Sequence, residues 1–179
     1  MGQQQLLFLM LGIVLVGLAV VVGISAFKEN DRKAALDLDT ARMAQYAGLA
    51  VAWRATPQAM GGGQQATNSA ALNLNTLGID DDDLIVRDAN HEAAQVSPGM
   101  AVAVWYRTNT SAGPAVEVWD AAHGIKTTQF LFGTEPRCHV YRYAFWRPAT
   151  RPSWSDFYLS GGWVYTPANM PAAPAGCTW

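Results

Sequence analysis

Four adjacent carboxylates, at positions 80 to 83, form the densest group of potential metal ligands in the chain. Ca²⁺ prefers carboxylate and backbone oxygens, so Asp80, Asp81, Asp82 and Asp83 are weak candidate ligands. Successive side chains of an extended segment point in opposite directions, and the spaced Asp-x-Asp-x-Asp-Gly pattern of a calcium loop does not occur here. We therefore expect a solvated run, with a Ca²⁺ site as the alternative.

Other residue types with catalytic or binding chemistry are scattered. The histidines, His91, His123 and His139, lack metal-ligand spacing, and the sequence contains neither a phosphate-binding glycine loop nor a Gly-x-Ser-x-Gly elbow. Asn109 begins an Asn-Thr-Ser sequon, so it is a candidate for glycosylation, although such sequons often occur by chance. These observations predict a protein that is not an enzyme and needs no cofactor.

The two cysteines, Cys138 and Cys177, are the remaining reactive groups. Both follow the apolar N-terminal run, and a disulfide between them is expected if this part of the chain is exported. It would close a proline-rich loop with little capacity for regular structure. Two unpaired buried thiols are the alternative.

The apolar run from Leu6 to Phe27 bears on the cellular compartment of these groups, because it is a candidate membrane span. It carries no charge, and as a helix it would be about 33 Å long, enough to cross a bilayer core. The first cation of the chain is Lys28, so the basic start of a secretory signal peptide is missing from this sequence. Gly12, Gly17 and Gly23 would allow close approach between such helices, or a local stretch.

Helical periodicity continues beyond the apolar run to Thr56, with apolar residues favouring one side. The charged residues favour the other side; these are Asp31, Lys33, Asp37, Asp39 and Arg42. The pattern is imperfect, because Asp31 lies four residues from Ala35 and Asp39 lies four residues from Met43. Pro57, followed by three glycines at 61–63, provides the stop signal. We predict one helix of about 50 residues, apolar in its first half and amphipathic in its second.

The sequence from residue 100 onward predicts a β-sheet. Segments rich in β-branched and aromatic residues, bounded by turn residues, predict four antiparallel strands at 100–108, 114–122, 125–132 and 138–146. We expect them to pack on the amphipathic half-helix, with Trp53, Trp105 and Trp119 as core candidates. A short strand is plausible at 84–86, and a hairpin is possible between 157–159 and 163–165.

The predicted fold class is therefore α+β: a long N-terminal helix packed on a four-stranded antiparallel sheet, with a disulfide-bounded C-terminal loop. Its predicted parts are the apolar half-helix at 1–27, the amphipathic half-helix at 28–60, a loop-rich connection at 61–99 and the sheet domain at 100–179. The net charge of −2 and the absence of a basic cluster argue against nucleic acid as the main partner.

This arrangement resembles the type IV pilin family, which includes the pseudopilins of type II secretion. The resemblance implies cleavage by a prepilin peptidase after a glycine, here Gly2, and a methylated mature N-terminus at Gln3 or, if the chain is already processed, at Met1. The family usually has a glutamate as its fifth mature residue. Gln5 occupies that place if Met1 is the mature N-terminus, and Leu7 does so if the cut follows Gly2.

The same resemblance implies a function. We expect the structural subunit, a major pilin, of an extracellular type IV pilus-like filament, held in the inner membrane before the assembly machinery incorporates it. Gln5, Gly12, Gly17 and Gly23 would then pack in the filament core against other copies of the chain. A minor pilin or a pseudopilin is the alternative, and a single-span membrane protein with an exported binding domain is an alternative of another class.

Overall fold

The computed structural model of the protein describes residues 2–64, 72–80, 82–106, 114–159 and 161–177. The chain divides into two units: residues 1–37, and residues 38–179, which form the sheet unit.

The predicted long helix is confirmed. Helix α1 runs without interruption from Gly2 to Ala55, a length of 54 residues. It ends where the sequence supplies Pro57 and the glycine run, and Gly61 adopts a positive φ of 82° that favours glycine. Gly63 is required for a different reason: a Cβ there would lie 2.4 Å from the indole of Trp53, which packs against its backbone. The stop signal therefore also allows the chain to fold back against the last turn of the helix.

Within the described residues, the sheet has seven antiparallel strands, so the prediction of four was wrong. The strands follow one another in chain order as a meander. Their bounds are β1 Leu84–Arg87, β2 His91–Ser97, β3 Met100–Trp105, β4 Ala115–Asp120, β5 Ile125–Leu131, β6 His139–Trp146 and β7 Trp163–Thr166. Strands β3 to β6 are the four that the sequence predicted.

The three additional strands have identifiable physical causes. β1 and β2 lie in the connection predicted to be rich in loops, and β2 reads His-Glu-Ala-Ala-Gln-Val-Ser, a composition with little β-propensity. Pairing with β3 along β2, interrupted by an irregularity between Gln95 and Ser97, supplies the backbone hydrogen bonds that fix its conformation. β7 pairs with β6, but the first arm of the predicted hairpin is instead a short helix, α2, Trp154–Tyr158. Asp156 caps its start by accepting the Ser153 backbone N–H at 2.7 Å.

Two apolar layers cover the sheet. Alternation along each strand places Val116 and Val118 on the face that packs against α1, and Glu117 and Trp119 on the opposite face. The α1-facing core also receives side chains from the connection after the helix, so that segment belongs to the core; the buried members are Met43, Ala47, Ala50, Leu72, Leu74, Leu77, Ile79, Ala94, Val102, Val104, Val116, Val118 and Leu131.

The three tryptophans predicted to share the helix–sheet core are separated. Trp53 packs against that core. Trp119 lies on the opposite face with Phe157 of α2, their rings 5.3 Å apart, and Trp105 packs against the cluster that contains the cysteines. The prediction was wrong for Trp105 and Trp119 because strand alternation, and not aromatic character, decides which face a side chain occupies.

Candidate functional site

The first half of α1 presents a long, continuous apolar surface. The large apolar side chains from Leu6 to Phe27 are between 51% and 77% exposed. This segment is long and apolar enough to cross a membrane, judged by length and composition. So large an exposed apolar surface is typical of a segment that is covered by lipid or by other protein chains.

The sequence-predicted residues of this surface are placed as follows. Gly2, Gln3 and Gln5 lie in the first turns of α1 and are exposed, whereas Met1 lies outside the described residues. Gly12, Gly17 and Gly23 lie further along the helix. A Cβ at any of these three would meet no atom of the described residues within 4 Å, so the packing of the single chain gives no reason for glycine there.

The predicted disulfide between Cys138 and Cys177 is present. Cys138 immediately precedes β6, and Cys177 ends the described C-terminal segment, with their Cα atoms 5.5 Å apart. Both sulfurs are buried in a small cluster with Ala115, Phe130 and Phe132. The bond therefore attaches the end of the chain to the face of the sheet that is remote from α1.

Arg142 holds the same C-terminal segment at a second point. Its guanidinium donates hydrogen bonds to the carbonyl oxygens of Pro167 at 3.0 Å and Ala168 at 2.8 Å. It also stacks on the ring of Tyr165, with 3.9 Å between the guanidinium carbon and the ring centroid. Burial lowers the pKa of Arg142, and the charges of Tyr165 and Glu117 oppose that effect.

A buried carboxylate lies on the same face of the sheet. Glu117 accepts hydrogen bonds from the Trp119 indole and the Thr128 hydroxyl, each at 2.8 Å. Lys126, also buried, donates to the backbone carbonyl of Phe157 at 2.9 Å. Lys126 thus joins α2 to the sheet and Arg142 joins the C-terminal segment to it, whereas Glu117 links β4 to β5, so the geometry indicates a structural role for all three.

The acidic run was the sequence candidate for Ca²⁺. Asp80, Asp82 and Asp83 line one open cavity of about 430 Å³ together with Tyr46 and Gln95. The three carboxylates are exposed, and among the residues that the structure describes no group of three or more His, Cys, Asp or Glu side chains is placed to hold a metal ion. Asp81 lies outside the described residues, as does Asn109, the candidate glycosylation site.

The histidines are dispersed over the sheet unit. His91 is buried, stacks on Trp105 with 4.0 Å between ring centroids, and places Nδ1 3.0 Å from the Asp88 carboxylate. His139 pairs with a backbone carbonyl near the start of β6. His123 is exposed and contacts the carboxylate of Asp120 through Nδ1 at 2.7 Å.

Sequence reasoning missed a carboxyl pair beneath α1. Asp39 is buried at 1% exposure, whereas the helical pattern assigned it to the polar side. Asp120, at the end of β4, is also buried, and its negative charge raises the pKa of Asp39. The break in periodicity at Asp39 and Met43 was the available signal, because residues four apart on a helix share one face and Met43 is buried.

Comparison of this chain with protein-family models, with curated proteins and with solved structures finds no match. The long apolar N-terminal helix, the antiparallel sheet and the C-terminal disulfide are compatible with a type IV pilin-like fold. An assignment of function must therefore be supported by the surfaces themselves.

Proposed function

We propose that this chain is the structural subunit of a type IV pilus-like filament, and that it polymerises through the apolar half of α1. The observation that carries this proposal is the exposure of every large apolar side chain from Leu6 to Phe27 on a helix that continues into a folded sheet unit. A subunit needs this surface twice: first against lipid, and then against copies of itself.

Two further observations support the proposal. The Cys138–Cys177 disulfide is typical of proteins in an oxidising compartment, so it supports an exported sheet unit. Among the residues that the structure describes, none packs against the three glycines of the apolar half, so a role in contacts between copies would account for them. In this proposal the subunit waits in the inner membrane, is processed at Gly2 by a prepilin peptidase and is then taken up by an assembly machinery.

A single-span anchor that carries an exported binding domain is the competing function. It is favoured by the suitability of α1 as a membrane span, which needs no filament to explain it. A minor pilin or a pseudopilin would assemble through the same helix and differ in abundance and location. The experiment must therefore separate insertion into the membrane from assembly.

The test is a pair of substitutions in the apolar half. Gly12→Leu with Gly17→Leu keeps the segment apolar and raises helix propensity by about 1 kcal/mol per site, so membrane insertion should be unaffected. Filament assembly depends on the close fit between helices, so we expect filament yield to fall by about tenfold or more. Val16→Leu with Val20→Leu, at exposed positions that already carry large side chains, is the matched control and should assemble normally.

Two measurements decide the outcome: the abundance of the subunit in the membrane fraction, and the yield of filaments sheared from the cell surface, identified by electron microscopy and mass spectrometry. Normal filaments from the glycine variant would show that the glycines have no packing role. A wild-type protein that never leaves the membrane fraction would overturn the filament proposal in favour of the anchor.

A further inference from the structure

The carboxyl pair beneath α1 lies at the place where the helix first becomes buried. Within the unit of residues 38–179, Asp39 is the first of the buried helix residues, followed by Met43, Ala47 and Ala50. One carboxylate oxygen, Oδ1, lies 3.8 Å from the Arg42 guanidinium. The other, Oδ2, is buried and has no hydrogen-bond donor among the described residues. An ionised Asp39 would therefore leave one oxygen both desolvated and unpaired.

The groups that face Asp39 come from several elements. From β4, Asp120 contributes a second buried carboxyl. From the turn after β4, His123 donates its backbone N–H to Asp120 at 3.0 Å and places Nδ1 2.7 Å from the same carboxylate. From α1 itself, Arg42 reaches Asp39 and also the sulfur of Met100 on β3, at 2.8 Å.

One more titratable group packs near this turn of the helix. Tyr141 of β6 forms a 2.8 Å hydrogen bond with the hydroxyl of Thr40. Among the groups around this turn of the helix, Asp39 is the one that combines near-complete burial with a raised pKa.

A proton shared between the two carboxyls removes both the unpaired oxygen of Asp39 and the repulsion between two adjacent negative charges. Protonated Asp39 gains an O–H donor, which can serve the Asp120 carboxylate, while Asp120 keeps its backbone and imidazole donors. Burial and, after it, the negative charge of Asp120 raise the pKa of Asp39, while the charges of Arg42 and His123 lower it, and the net result is a pKa of about 7. Loss of the proton replaces a hydrogen bond with two adjacent negative charges under the helix.

We propose that Asp39 and Asp120 form a proton-dependent latch, in which one shared proton holds the first buried turn of α1 on the sheet and its loss loosens that turn. The latch depends only on contacts within residues 38–179. The latch can therefore be tested, and refuted, independently of the filament proposal.

The first experiment is a carboxyl titration of the wild-type full chain in nonionic detergent micelles, with ¹³C-labelled aspartate followed by NMR. We expect one buried carboxyl to titrate above about pH 6, whereas exposed aspartates titrate near about pH 4. Amide hydrogen exchange in residues 39–43, corrected for the intrinsic pH dependence, should become about tenfold faster between about pH 5.5 and pH 8.5. This wild-type measurement decides the proposal even if a variant fails to fold.

Three variants assign the effect. Asp39→Asn supplies a permanent amide donor to Asp120 and should keep residues 39–43 protected at both pH values. Asp37→Asn, at an exposed position on the same helix, should retain the wild-type pH dependence. His123→Gln should shift the transition without abolishing it, because His123 lowers the pKa of Asp39 by its charge, whereas burial, the largest cause of the raised pKa, is unchanged.

Several results would overturn the latch. Titration of both buried carboxyls below about pH 5 would show that no shared proton exists near neutrality. A wild-type-like pH dependence in Asp39→Asn, or its complete loss in His123→Gln alone, would identify His123 as the responsible group. Loss of protection at both pH values in Asp39→Asn would show that the carboxylate itself is needed for the fold.

Discussion

Opening the Cys138–Cys177 disulfide should destabilise the sheet unit by about 4 kcal/mol. The two cysteines are separated by 39 positions. On the chain-entropy model, closing a loop of this size removes about 13 cal/mol/K from the unfolded ensemble, which is about 4 kcal/mol at 25 °C. The folded state should survive reduction, because β6 and β7 keep their pairing and Arg142 still binds the C-terminal segment.

The contribution of the loop can be separated from that of packing. Reduced wild-type protein keeps both sulfurs in the cluster with Phe130 and Phe132. Its loss of stability therefore measures mainly the effect of opening the covalent loop. Cys138→Ala with Cys177→Ala also removes buried atoms, and we expect a further loss of about 1–2 kcal/mol. Stability should therefore decrease in the order oxidised, reduced, alanine pair.

The assay is guanidinium unfolding of the full chain in nonionic detergent, followed through the fluorescence of tryptophan. Trp119 is fully buried and packs on Phe157, so its emission should report unfolding of the sheet unit. A difference of less than about 1 kcal/mol between oxidised and reduced protein would refute the loop-closure reasoning for this chain. Equal stabilities of the reduced protein and the alanine pair would refute the packing contribution.

Three further substitutions test the packing and electrostatics of the same unit. The pKa of Asp39 is raised from 3.8 to about 7 in the folded state. Protonated Asp39 therefore contributes up to about 4 kcal/mol to the free energy of unfolding; this contribution is complete below about pH 4 and is lost as the pH rises through 7. Asp39→Asn should flatten this profile in pH-dependent denaturation and Asp37→Asn should not; parallel profiles for Asp39→Asn and the wild type would contradict the argument. Ala47→Leu, at a buried helix position, should lower the free energy of unfolding by about 1–3 kcal/mol, because the added atoms have no space. The control Ala44→Leu, on the exposed side of the helix, should lower it by less than about 0.5 kcal/mol. Equal decreases in the melting temperature would show that α1 does not pack closely on the sheet. Glu92→Ala removes the buried acceptor of a backbone N–H in the segment 72–79 and should cost about 1–3 kcal/mol, whereas unchanged exchange of that amide would exclude this role.

Several features were predictable because their causes are local. An uncharged apolar run, a periodicity that continues to residue 56 and a proline followed by glycines specify a long helix and its end without reference to the rest of the chain. Strands β3 to β6 carry β-branched and aromatic residues between turn residues, so their sequences indicate them directly. The disulfide followed from there being just two cysteines, both beyond the apolar run.

The features that the sequence did not indicate depend on partners distant in the chain. β2 has weak intrinsic preference for a strand, and its pairing with β3 and the burial of Glu92 make it one. Trp119 could be recognised as a core residue, but its face of the sheet depends on the register of β4 with its neighbours.

The division is clearest at Asp39. The sequence by itself determined that residues 2–55 form one helix, because hydrophobic periodicity and stop signals are properties of neighbouring residues. Only the tertiary structure decided that Asp39 meets Asp120, a residue 81 positions later, beneath that helix. Burial and a second carboxyl change its protonation, and neither influence can be read from neighbouring residues, because both arise only when the sheet packs against the helix.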